Sequence, residues 1–293
     1  MKPRLSVFAL VPIMLLVLTA CSSDVRSRPA AVSPRNPPSA EAIQAAIAKV
    51  PFVATSPAVI AEMLKMANVS KKDVLYDLGS GDGRIVIAAA KDRGARGVGI
   101  DIDLQRVREA SQNAHAAGVS DRVRFIQQDL FDADLHDATA VTLYLVRSVN
   151  VRLRPKLFAE LRPGTRVVSH QFDMGEWEPD AKSRVGEERV FLWIIPAQVH
   201  GVWRWSAGDG SVRTGRLIQN FQNVWGDVRS GSQHLEIRNG ILNGSEITFE
   251  VERPDNVVEH YRGRVSGNTI EGTVWSGTQR IRWRAHMTEN DDQ

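Results

Sequence analysis

The chain has 293 residues, 43% of them apolar, enough to build one large globular domain or two modest ones. Its formal charge is +3, but Lys2 and Arg4 lie in the first twenty residues. Without that stretch 35 basic residues face 34 acidic ones, and a balance of +1 gives no electrostatic case for nucleic-acid binding. The single cysteine, Cys21, excludes an intramolecular disulfide and a Cys-based metal cluster, and the seven histidines show no metal-ligand spacing.

The N-terminus reads as a targeting segment. Lys2 and Arg4 precede a mostly apolar run of 14 residues from Leu5 to Leu18, shorter than the roughly 20 residues a membrane-spanning helix needs. That run suits the core of a signal peptide. Leu18-Thr19-Ala20-Cys21 resembles a bacterial lipobox, which implies a signal peptide over 1–20 and a lipid on Cys21. An uncleaved anchor is the alternative, and either leaves the rest of the chain outside the cytoplasm. Ser22 resembles the sorting pattern of outer-membrane lipoproteins, so the expected location is the cell envelope, facing the periplasm. Residues 21–40 hold four prolines and few apolar side chains, the composition of an extended tether.

Globular composition starts near Glu41. Ser56-Pro57 is a helix start, with Ser as cap and Pro at the first helical position. Strands are expected over Val74–Leu78, Gly97–Ile102, Val123–Ile126, Ala140–Leu145, Arg166–Ser169 and Arg189–Ile195. Helices are expected over Ile85–Ala90, Leu104–Ala117 and Pro155–Leu161. Their alternation predicts an α/β domain over 41–200 with a Rossmann-like, mostly parallel sheet.

After Gly201 the pattern changes to period two, as in Glu246-Ile247-Thr248-Phe249-Glu250-Val251, with a hairpin signal at Asn243-Gly244. Gly240-x-x-x-Gly244-x-x-Ile247 recurs as Gly263-x-x-x-Gly267-x-x-Ile270. Residues 201–293 therefore read as an antiparallel all-β domain, a sheet or small barrel of about six strands. Trp203, Trp205, Trp225, Trp275 and Trp283 fall on these alternating segments and are expected to pack its core, with a sugar- or lipid-binding aromatic face as the alternative.

Chemistry concentrates at Asp77-Leu78-Gly79-Ser80-Gly81-Asp82-Gly83. Gly79, Gly81 and Gly83 let the chain turn sharply between the first strand and the next helix and bring backbone close to a ligand. The helix N-terminus adds unpaired N–H groups. Asp77 just before the turn disfavours a phosphate and suits a cationic aminoacyl group. Asp101 ends the second strand, 20 residues past Gly81, where an acid accepts from ribose hydroxyls. Asp129 follows the third strand, on the adenine side of the same crevice, though Asp there is also ordinary turn chemistry. Asp82 is open between ligand contact and helix capping. A nicotinamide site fits the glycine spacing less well.

Asp77 to Gly83 resembles the first motif of class I S-adenosylmethionine-dependent methyltransferases, and Asp101 and Asp129 resemble that class's two further cofactor acids. Tyr76 to Val86, Pro51 to Pro57, Asp129-Leu130-Phe131 and Val167 to Trp177 resemble the lysine methyltransferase family acting on the c-subunit of ATP synthase, with its bacterial relatives. The resemblance covers about residues 51–196. It implies S-adenosylmethionine as cofactor, held by Asp77, Gly79, Ser80, Gly81, Asp82, Gly83, Asp101, Asp129 and Thr55, and a protein side chain, lysine among them, or a small amine as methyl acceptor. Tyr144, at the end of the fourth strand, is the candidate catalytic residue, with a core tyrosine as the alternative. His170, Asp173 and Trp177 are candidates for the same mouth. The rival reading is a non-catalytic envelope lipoprotein that binds a nucleoside-like ligand or a partner protein.

Overall fold

The computed structural model describes residues 53–206 and 210–289. The expected signal peptide, lipidation at Cys21 and tether fall outside the described residues.

Helix α1 (Pro57–Met66) begins as its sequence requires, with the Ser56 hydroxyl accepting from the Val59 N–H and Pro57 in the first turn. Strand β1 (Val74–Leu78) leads through the glycine loop into α2 (Arg84–Arg93). Then follow β2 (Arg96–Asp101), α3 (Leu104–Ala116), β3 (Val123–Gln127), β4 (Ala140–Leu143), α4 (Arg147–Glu160) and β5 (Arg166–His170). A hairpin of β6 (Ala181–Val185) and β7 (Glu188–Ile194) completes one seven-stranded sheet in the order β3-β2-β1-β4-β5-β7-β6.

Strands β1 to β5 are mutually parallel, and β7 enters antiparallel to β5. The order reverses between β1 and β4, which opens a crevice beyond their carboxyl ends. On one face α1 and α2 bury Val59, Ile60, Met63, Leu64, Ile85, Val86 and Ala89 against Leu75, Ala140 and Val168 of the sheet. That apolar layer fixes where β1 ends and hence where the loop turns.

Two expectations for this domain need correction. Helix α4 starts at Arg147, eight residues before Pro155, and carries the proline inside it. An internal proline frees the carbonyl four residues back; here the Arg154 Nε–H donates to that Val151 oxygen at 3.4 Å. Strand β6 adds to the expected set. Its Ala-Lys-Ser-Arg-Val has no apolar alternation because it is an edge strand with few buried side chains.

The C-terminal residues form a closed barrel of eight antiparallel strands rather than six: β8 (Gly201–Ser206), β9 (Val212–Asn220), β10 (Asn223–Ser230), β11 (Gln233–Asn243), β12 (Glu246–Glu252), β13 (Val258–Ser266), β14 (Thr269–Ser276) and β15 (Gln279–Glu289). The sequence repeat is a hairpin repeat, with Gly244 turning β11 into β12 and Gly267 turning β13 into β14. Trp203, Trp205 and Trp283 fill the interior with Phe249 and Tyr261, whose rings stack at 4.6 Å. Trp225 faces outward at 44% exposure and Trp275 lies against His260. Arg213 and Glu259 are also buried inside, paired with each other and with the Tyr261 hydroxyl.

The barrel packs on the α/β sheet through aromatic rings. Trp177 stacks on Phe221 at 5.9 Å and donates its Nε1–H to Gln222 Oε1 at 3.0 Å, while Gln222 Nε2 donates to the Glu178 carbonyl. Trp177 is therefore a joint between the sheet and the barrel rather than a residue of the mouth.

Candidate active site

The loop after β1 hangs from the neighbouring strand. The N–H groups of Gly79 and Ser80 both donate to the Ile100 carbonyl, at 2.8 and 3.0 Å, and the Gly81 N–H donates to Asp101 Oδ2 at 2.8 Å. Gly79, Gly81 and Gly83 all take positive φ, a region that costs an L side chain roughly 1–2 kcal/mol. Space is also short at Gly83, where a Cβ would stand 2.6 Å from the Phe125 ring. The Ser80 hydroxyl is buried with no hydrogen-bond partner, packed beside Gly99 of β2.

Asp77 sits at the switch point with 2% exposure. The Thr142 hydroxyl on β4 donates to its Oδ1 at 2.7 Å. Burial pushes the Asp77 carboxyl up to about 7, and the charges of Asp101 and Asp82 push the same way against the Thr142 bond. A buried carboxylate short of positive charge suits the ammonium group of an amino-acid-like ligand. The donor set thus fits S-adenosylmethionine: a carboxylate for the ammonium and glycine backbone for close approach.

The other expected residues divide. Asp101 lies at the crevice, its Oδ1 accepting from the Asp103 N–H. Asp129 accepts the Phe131 N–H at 2.9 Å, the turn chemistry that Asp after a strand commonly supplies. Asp82 is braced by Arg84, which reaches both carboxylate oxygens; burial opposes its ionisation, but Arg84 holds the carboxyl below its usual range. Arg84 also donates to the Thr55 carbonyl at 3.1 Å, tying the segment before α1 to the loop.

Beside the loop, the ends of β4 and β5 bring an aromatic cluster together. Tyr144 packs on His170 with ring centroids 3.9 Å apart, and Phe172 stacks on Tyr144 at 6.4 Å. The Thr55 hydroxyl is 3.2 Å from His170 Nδ1, and Glu188 Oε2 is 3.0 Å from His170 Nε2. Burial, then the Glu188 charge, pushes the Tyr144 hydroxyl up, so it stays protonated at neutral pH. Asp173 pairs with Arg147 at 2.6 Å instead of joining this cluster. Glu188 carries no signal in the sequence, because no motif marks it and it reaches His170 only through the β5–β7 pairing.

Known proteins resemble this half of the chain. Residues 77–181 match the family model of the ANTKMT methyltransferase domain. A protein-lysine N-methyltransferase of Saccharolobus islandicus is 44% identical over 50% of this chain and 94% of its own length. The adenine nucleotide translocase lysine N-methyltransferase of Mus musculus is 35% identical over 52% of this chain and 65% of its own length. The crystal structure of an RNA methyltransferase from Salinibacter ruber, in complex with S-adenosyl-L-homocysteine, is 56% identical over 50% of this chain and 96% of that chain, with a TM-score of 0.50. The fold, the glycine loop and these matches together place the chain in the class I S-adenosylmethionine-dependent methyltransferase family that carries the ANTKMT methyltransferase domain.

Proposed function

We propose that the chain methylates the side-chain amine of lysine in a protein acceptor. S-adenosylmethionine supplies the methyl group, and the protein supplies position and an amine free of its proton. The observation that carries the reading is the half-buried pair of Tyr144 and Phe172 beside the glycine loop, packed over the buried His170, because aromatic rings suit a cationic alkyl amine. The named activities of the Saccharolobus and mouse relatives support the same acceptor. In this reading Asp77, Gly79, Ser80, Gly81, Gly83, Asp101 and Asp129 hold the cofactor, Asp82 braces the loop through Arg84, Thr55 closes its edge, and Tyr144 faces the acceptor.

The test is transfer of a labelled methyl group to lysine-containing peptides, to the same peptides with arginine in place of lysine, and to total RNA. Label in the lysine peptides alone, lost in Asp77→Ala, is expected. Label in RNA alone would replace this reading with the activity for which the Salinibacter protein is named.

We further propose that the enzyme works at the cell envelope, attached through lipid on Cys21 with residues 21–40 as tether. The run from Lys2 to Cys21 supports this. Cys21→Ser is expected to move the protein from the membrane to the soluble fraction, and unchanged membrane association would count against the lipid.

A further inference from the structure

A lysine side chain reaches any site as an ammonium, with a reference pKa near 10.4, and cannot accept a methyl group until one proton has left. Tyr144 is a poor acceptor for that proton, since its own hydroxyl is held protonated. The groups beside it form a better route. Thr55 is buried, the His170 side chain is 3% exposed, and Glu188 is 48% exposed. The three run from the segment that Arg84 ties to the glycine loop out to solvent, in two steps of 3.2 Å and 3.0 Å.

We propose that Thr55, His170 and Glu188 form a proton-exit path that carries the acceptor lysine's ammonium proton from the mouth to solvent. The proposal rests on the lysine reading above. The Glu188 carboxylate accepts from Nε2–H and so fixes the His170 tautomer, leaving Nδ1 as an acceptor. Thr55 then donates its hydroxyl hydrogen to Nδ1, and its oxygen keeps lone pairs able to accept.

In the transfer the ammonium N–H bond breaks and its proton goes to Thr55 Oγ1. The hydroxyl proton of Thr55 passes to His170 Nδ1, the Nε2 proton passes to Glu188 Oε2, and Glu188 exchanges it with water. The electron pair of the broken bond stays on the amine nitrogen, which becomes the nucleophile. After the product leaves, the Nδ1 proton passes through Thr55 to water and Glu188 returns one taken from water to Nε2, so one ammonium proton has reached solvent and the path is restored. The gradient of exposure, with the carboxylate at the wet end, is what a plain structural tie would not need. Thr55, Tyr144 and Glu188 are the hydrogen-bonding or titratable groups that touch the ring, from the segment before α1, from the end of β4 and from β7.

Two measurements on the full chain test it. Long-range proton–nitrogen NMR of histidine-labelled protein is expected to show His170 as the Nε2–H tautomer, and Glu188→Ala is expected to lose that preference. The reverse tautomer in the wild type overturns the path. Methyl transfer to a lysine peptide is then followed from pH 7 to pH 10. Glu188→Ala, chosen because Glu188 is half-exposed and its loss spares the core, is expected to lower kcat 10- to 100-fold at pH 7. Its KM and its affinity for S-adenosylhomocysteine should stay within twofold. The deficit is expected to shrink as pH rises toward the lysine pKa, because the substrate then arrives deprotonated, and Glu188→Asp is expected to recover part of the rate. A deficit independent of pH, or a wild-type rate in Glu188→Ala, overturns the path while leaving lysine methylation standing. A wild type that labels no lysine peptide overturns the lysine reading and the path with it.

Discussion

The backbone N–H of Gly81 donates to the Asp101 carboxylate over 2.8 Å, joining the glycine loop to the end of the adjacent strand. In the proposed site the same carboxylate also accepts from the cofactor's ribose hydroxyls. Asp101→Ala removes both functions, so affinity for S-adenosylhomocysteine is expected to fall by about 1–3 kcal/mol, with Asp101→Asn keeping part of it. Isothermal titration reads this directly, and unchanged affinity would remove Asp101 from the site.

Asp77 gives a pH signature. Its carboxyl titrates at about 7 in the folded chain, against 3.8 for an ordinary aspartate. A raised acid pKa means the folded state binds the proton more tightly, so this group's contribution to stability falls as pH climbs from about 4 to 7. The loss amounts to roughly 4 kcal/mol at full ionisation. Asp77→Asn is therefore expected to be more stable than wild type at pH 8 without ligand, and to bind S-adenosylhomocysteine more weakly. Near pH 6 the wild type should release protons on binding, seen as a buffer-dependent enthalpy. Equal enthalpies in phosphate and imidazole buffers would contradict it.

Gly83 combines a φ of 79° with the Phe125 ring 2.6 Å from where a Cβ would stand. Gly83→Ala is expected to cost about 1–3 kcal/mol of stability and to weaken cofactor binding as the loop shifts. A melting temperature equal to that of wild type would show that the loop tolerates a side chain.

Inside the barrel, Arg213 and Glu259 form a buried ion pair completed by the Tyr261 hydroxyl. Removing Glu259 leaves the buried Arg213 charge without its carboxylate, and removing Arg213 leaves Glu259 with only the more distant Arg253 at 3.9 Å. Glu259→Gln or Arg213→Met is expected to destabilise the protein by about 3–5 kcal/mol in urea unfolding, and an apolar double replacement by much less. Equal losses for the single and double variants would argue that packing, not charge, is what the pair supplies.

Trp177 joins the sheet to the barrel through Phe221 and Gln222. Trp177→Ala is expected to cost about 3–5 kcal/mol. It should also split one unfolding transition into two, since each half keeps its own core. A single transition at the wild-type midpoint would show that the joint adds nothing.

Local chemistry makes part of this legible in the chain alone. Ser56-Pro57 starts α1 because a cap hydroxyl and a preset φ act within one turn. The glycine loop and Asp101 are readable because positive φ and strand-end acids leave marks at fixed spacing. The barrel's period-two pattern is readable as an all-β domain, but its eight strands are not countable, since tight turns such as Gly231 and Gly277 hide boundaries between strands.

The sequence by itself determined an α/β sheet with a cofactor loop at its switch point and a β domain behind it, because backbone conformation and apolar periodicity are local properties. Tertiary structure alone decided which side chains meet. It placed Trp177 in the joint with the barrel. It also brought Thr55 to His170 across 115 residues and Glu188 to the same ring across a sheet pairing. Such contacts depend on strand order and on the burial of whole elements, which no spacing within the chain encodes.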